Sequence, residues 1–170
     1  MIRRFGVWTA SVVSIVGVLA ATGCMYSFAG GGLPPHIHTM AIATFENQTA
    51  SPDIPKELYD RMHSELQRRL GVRDAPSDRA DALAHGTITT YDVDVPVSFS
   101  ANPQQAVSAR RRLAITLDVE VVDQSNGHVL WAQKALREEA DYAERAELDG
   151  RTKAIEKLVQ RIVEGVQSNW

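Results

Sequence analysis

Between residues 110 and 123 the chain alternates almost without interruption. Leu113, Ile115, Leu117, Val119 and Val121 fall on one side of an extended backbone, and Ala114, Thr116, Asp118, Glu120 and Val122 on the other. Successive side chains of a strand point to opposite faces, so this stretch predicts a strand with one packed face and one wet face. Residues 82–99 alternate more loosely, setting Ala84, Gly86, Ile88 and Thr90 against Leu83, Tyr91 and Val93. Pro96 predicts an edge position or a bulge near the far end of that segment. Residues 128–136 follow QSNG, whose Asn-Gly pair is a strong hairpin signal, and Val129 and Trp131 are expected to face the core. Upstream, residues 37–46 are apolar on both faces, with Met40 and Ile42 opposed to Ala41, Ala43 and Phe45, which predicts a strand buried on both sides.

Two segments change period. Leu58, Met62, Leu66 and Leu70 are spaced four apart with charged residues between them, Asp53 stands at an N-cap position, Pro55 falls in the first turn and Gly71 where a C-cap belongs. Ile155, Leu158, Val159, Ile162, Val163 and Val166 form a second helical stripe near the end of the chain. Residues 72–81 and 137–149 read as polar or charged connections. The order β-α-β-β-β-α, with two one-striped helices, predicts an α+β two-layer sandwich. Both helices would cover one face of a four-stranded mixed sheet, with the first strand parallel to its successor.

The start of the chain has a different character. Arg3 and Arg4 precede a mostly apolar run from Phe5 to Ala21, and small residues follow. This is the make-up of a removable signal peptide over residues 1–23. It ends at Cys24, the only cysteine of the 170 residues, which therefore has no partner for an internal disulfide. The segment A-T-G-C resembles the lipobox of bacterial lipoproteins, departing from it at Ala21, where leucine is usual. That likeness implies acylation of Cys24, palmitate among the acyl chains, and Met25 in place of aspartate implies the outer-membrane class. Residues 24–36, rich in Gly and Pro, then read as a lipidated tether, and 37–170 as a single domain.

Charge and candidate chemistry narrow the function. The leader holds two of the 18 basic residues and none of the 21 acidic ones, so the mature chain stands at about −5, which argues against nucleic acid as a partner and against any general attraction to an anionic membrane, leaving anion binding to a local basic patch. His36 and His38 would share one side of a strand, but no third ligand is spaced to complete a metal site. Asp92 with Asp94, and Asp118 with Glu120, fit the wet face of a sheet. No G-x-S-x-G elbow or phosphate-binding glycine loop is present. The sequence thus offers no catalytic residue, metal site or cofactor site, and reads as a binding protein and not an enzyme. One cluster remains: Arg110, Arg111 and Arg112 open the alternating strand, and Arg68, Arg69 and Arg73 end the first helix. Arginine forks bind phosphate in a bidentate way, so these side chains are candidate contacts for an anionic glycolipid.

The combination of the lipobox, C-M-Y-S-F-A-G-G-G-L-P-P-H-I, A-I-A-T-F-E-N-Q-T, A-D-A-L-A-H-G-T-I-T-T-Y, V-V-D-Q-S-N-G-H-V-L-W and R-E-E-A-D-Y resembles the LptE family of lipopolysaccharide (LPS)-assembly lipoproteins. The resemblance implies a non-catalytic, lipid-anchored protein of the cell outer membrane. It implies a partner, the LptD β-barrel, whose lumen the protein plugs, and contact with LPS in transit. The alternative is an LpoB-like regulator of a peptidoglycan synthase, which shares the lipobox and a small α/β domain. Such regulators need a long tether, whereas about a dozen residues, roughly 40 Å at full extension, separate Cys24 from the first strand here.

Overall fold

The structure, a computed structural model, describes residues 32–96, 110–143 and 145–168. Eight elements follow in chain order: β1 (Thr39–Ile42), β2 (Glu46–Asn47), α1 (Ile54–Leu70), β3 (Arg73–Asp74), β4 (Ala82–Pro96), β5 (Arg110–Asp123), β6 (Val129–Ala143) and α2 (Glu147–Ser168). The strands form one mixed sheet in the order β3-β1-β4-β5-β6, with β2 also paired to β4. As expected, β1 runs parallel to β4, while β4, β5 and β6 make a long antiparallel meander.

The α+β sandwich stands, but the sheet has six strands where four were expected. The additional strands, β2 and β3, hold two residues each, too few to leave a periodic signal in sequence. The apolar stretch 37–46 is correspondingly not one strand. Its ladder breaks after Ile42, and buried Phe45 packs beside Gly86 of β4. A Cβ on Gly86 would lie 2.1 Å from the Asp118 carbonyl oxygen and 2.7 Å from the Phe45 ring, so only glycine fits there.

Alternation along β5 matches its pattern: Leu113, Ile115, Leu117, Val119 and Val121 are buried beneath the helices. The flanking strands change phase. Ile88 pairs with Leu117 but Thr90 pairs with Thr116, so Thr89 is an extra residue and Tyr91, not Thr90, follows Ile88 onto the packed face. In β6, Val129 pairs with Val122 and Trp131 with Val121, which makes Leu130 the extra residue. Leu130 is buried, Val129 is exposed, and Trp131 packs partly buried against α2 at Gly165. The expectation that Val129 faces the core is thereby corrected. A further irregularity places Ala135 at φ 49°, its N–H donating to Asp118 Oδ1 at 2.7 Å.

Residues 137–143, read from sequence as a charged connection, are the second half of β6. Cross-strand ion pairs on the face away from the helices accommodate Arg137, Glu139 and Asp141, Glu138 pairs with Arg161 of α2 at 3.1 Å, and Ala140 and Tyr142 are buried on the helix side. The helices behave as their stripes predict. Ile54, Leu58, Met62 and Leu66 of α1 and the stripe of α2 join one core with the sheet. Gly71 ends α1 at φ 68°, the left-handed C-cap its position suggested. Asp53 occupies the N-cap without a side-chain capping bond. Arg151 of α2 grips Glu57 of α1 through Nε (3.0 Å) and Nη2 (2.6 Å), joining the helices.

Candidate functional site

The long meander gives the molecule two ends, and they differ in chemistry. At one end, here called the base, β1 and β4 begin and β5 hands over to β6. The register aligns Met40 with Ala82 and Ala82 with Asp123, so the starts of β1 and β4 and the last residue of β5 lie side by side. Two carboxylates organise this end. Asp123 Oδ1 accepts from the Ser125 N–H (2.9 Å) and hydroxyl (2.6 Å), and Oδ2 accepts from Asn126 Nδ2 (3.0 Å) and lies 2.7 Å from His36 Nε2. Only 2 % of Asp123 is exposed, yet the Ser125 hydroxyl above all, with His36 and the Ser125 N–H, favours the ionised form and outweighs desolvation. These contacts bring its pKa down to about 2. Asp81 Oδ2 accepts from the N–H of His38 (2.9 Å) and from the N–H and hydroxyl of Thr39 (both 2.8 Å), and its pKa is likewise lowered, foremost by the His38 N–H.

Together these bonds clamp residues 36–39 onto the β5–β6 turn and the start of β4. Leu33 packs on the core as well, and the Ile37 N–H donates to the Pro34 carbonyl in a tight turn. The segment read as tether up to residue 36 is therefore seated on the domain from Leu33 onward. His36 is a partner of Asp123 and not a free solvated ring. Neither acid stood out in sequence. The signal that could have found Asp123 is its place before Q-S-N-G, where an aspartate receives the N–H of the residue two positions on.

At the far end β5 opens with Arg110, Arg111 and Arg112. Cys24 and the Arg110 side chain lie outside the described residues. Arg112 Nε binds Asp141 Oδ1 at 2.8 Å, and its Nη1 lies 3.2 Å from Glu139. Arg137 bridges Asp92 (3.1 Å) and Glu139 (3.3 Å), extending the same ladder across three strands. The register sets Arg111 beside Tyr142, on the helix side of the sheet, away from Arg112. The triplet is thus divided between faces, and the described carboxylates already pair Arg112.

Arg68, Arg69 and Arg73, grouped with the triplet in sequence, are elsewhere. Arg73 pairs with Thr39 at the start of β1, and the Gln167 side chain donates to the Arg69 carbonyl, so all three stand at the base. Eleven residues of β5 separate Arg112 from Asp123, roughly 36 Å of strand. Arg68 and Arg69 share the single carboxylate of Glu65 at 2.5 and 3.6 Å.

Shallow grooves also mark the surface, two of them next to the helices. One of about 350 Å³ lies between the helices beside Asp60, Arg61 and Glu156, and one of about 420 Å³ lies between β6 and α2 beside Trp131, Arg161 and Glu164. Both are open and lined by charges that pair with each other, as Arg61 does with Glu156 at 2.8 Å. Among the described residues, no three metal-ligating side chains converge, and no helix is long and apolar enough to cross a membrane.

A family model described as "LptE: Lipopolysaccharide-assembly" matches residues 37–166. No curated protein matches the sequence. Among solved structures, the PelC dodecamer from Paraburkholderia phytofirmans is similar at a TM-score of 0.53 and 18 % identity, over 81 % of this chain and 93 % of that one. A Xanthomonas campestris protein is similar at 0.53 and 9 % identity, over 81 % and 91 %. At such identities the likeness concerns the fold alone.

Proposed function

The chain belongs to the LptE lipopolysaccharide-assembly family, and from that premise we propose that it is a lipid-anchored, non-catalytic partner of an LptD-type β-barrel in the outer membrane. In this reading residues 1–23 are a removed signal, Cys24 carries the acyl chains, residues 24–32 lead to the domain, and the folded unit that follows binds the barrel. The observation that carries it is the family match, which spans nearly all of the folded domain. The structure lends physical support: the sheet face turned from the helices is a polar ladder of Arg112, Asp141, Glu139, Arg137 and Asp92, a surface suited to the polar lumen of a barrel. LPS contact falls in this proposal to the end of β5 that carries Arg110, Arg111 and Arg112, where phosphate oxygens would compete with the carboxylates of Asp141 and Glu139.

Affinity purification of the chain from detergent-solubilised native membranes, followed by mass spectrometry, tests the reading. A large outer-membrane β-barrel in stoichiometric yield is the expected result. Recovery of a bifunctional peptidoglycan synthase in its place would overturn it in favour of an LpoB-like regulator. Mass spectrometry of the mature N-terminus is expected to find Cys24 acylated, and an unmodified thiol would remove the anchor.

A further inference from the structure

We propose that the base of the sheet is the membrane-facing end of this protein, held against phospholipid headgroups, and that the opening of β5 is thereby presented roughly 36 Å away from them. The inference rests on the anchoring of Cys24 proposed above and adds to it an orientation. Three observations carry it. First, the chain reaches the domain at a clamped point. His36, His38 and Thr39 are bound by Asp123 and Asp81, and the Asp81 carbonyl accepts from the Gln124 N–H (2.8 Å), so the clamp is tied into the β5–β6 turn.

Second, the reach is short. Eight peptide steps link Cys24 to Gly32, at most roughly 28 Å of chain. An anchor at Cys24 can therefore place the base at the bilayer, while the start of β5 lies beyond its span. Only a domain lying flat would bring both ends down. Third, the base carries the charge that headgroup phosphates select. Arg68 and Arg69 share one carboxylate, and Arg73 is exposed with no carboxylate partner among the described residues. Juxtamembrane basic side chains each favour an anionic surface modestly and add to a covalent lipid, which supplies the main attachment. At the far end Arg112 and Arg137 are each held between two carboxylates.

The test uses the full-length acylated protein in vesicles of phosphatidylethanolamine and phosphatidylglycerol that contain a headgroup-linked quencher. A fluorophore is placed in turn at the base (Arg79→Cys) and toward the far end (Val93→Cys), both exposed positions. Quenching several-fold stronger at position 79 than at position 93 is the expected result. Equal quenching would mean that the domain lies flat, and stronger quenching at 93 that it is inverted; either overturns the proposal. Inserting a dozen Gly/Ser residues between Gly31 and Gly32 leaves the domain untouched and is expected to shrink the difference. Replacing Arg68, Arg69 and Arg73 by Gln is expected to lower quenching at 79 in low salt, and no change would remove the arginines from the argument. A protein that fails to associate with vesicles at all would refute the anchor itself. Barrel co-purification reads the partner separately, so the two readings fail independently.

Discussion

The two ends of the β4–β5–β6 meander use the same functional groups to different effect. At the base, Asp123 is almost fully enclosed and receives donors from Ser125, Asn126 and His36. At the far end, Asp141 is some two-fifths exposed and meets Arg112 at a similar 2.8 Å. Distance alone would rank the two alike. Enclosure separates them, because a buried acceptor that loses its donors leaves polar groups unsatisfied, whereas an exposed pair exchanges its partner for water. The base is accordingly a structural joint, and the far end is a surface free to exchange partners.

The largest effect is expected where the span between the ends is broken. Leu117 lies in the middle of β5 and is fully buried, so Leu117→Ala should cost about 3 kcal/mol, measured by denaturant unfolding, and loosen both ends together. Next comes Asp123→Ala, which removes the acceptor for three residues at once and is expected to lower Tm by several degrees. Amide exchange should accelerate first around residues 36–39 and 123–128, and uniform acceleration would contradict a local joint. Asp141→Ala is the matched change at the far end. It should leave Tm nearly unchanged, and a loss as large as that of Asp123→Ala would erase the distinction between the ends.

Acid sharpens the same contrast. The folded pKa of Asp123, about 2, lies below the ordinary carboxylate value near 4 that the unfolded chain would show. The sign follows: the ionised form stabilises the fold above about pH 4, and that contribution is lost as pH falls from about 4 toward 2. Asp123→Asn should flatten the stability profile over this window. An unchanged profile would mean that other carboxylates carry the acid response. The smallest effect is expected from His36→Ala, since the ring is half exposed and Asp81 continues to hold residues 38 and 39.

The parts of this fold that were legible share one property: their signal is periodic and continuous. The alternation of β5 and the stripes of both helices run long enough for burial to follow the pattern, and Gly71 and the S-N-G turn mark their boundaries through local backbone geometry. The misread positions sit where that continuity breaks. Thr89 and Leu130 each insert one residue opposite β5, and a single insertion moves every later side chain to the other face. Residues 137–143 looked like a loop because their charges are answered by Asp92 and Arg112, which are distant in sequence. The candidate site was legible only in part. The arginines were visible as residue types, but of Asp81, Asp123 and His36, which join three segments at the base, only Asp123 carries a local signal, its place just before the turn.

The sequence by itself therefore determined the α+β class, both helices, the central strand and the resemblance to the LptE family, because periodicity and motif order are properties of neighbouring residues. Tertiary structure decided the rest. It set Arg68, Arg69 and Arg73 at one end of the sheet and Arg110, Arg111 and Arg112 at the other, split the triplet between faces, and seated the incoming chain on two carboxylates. Strand register and the partner across a ladder depend on residues far apart in the chain, and no local pattern carries them.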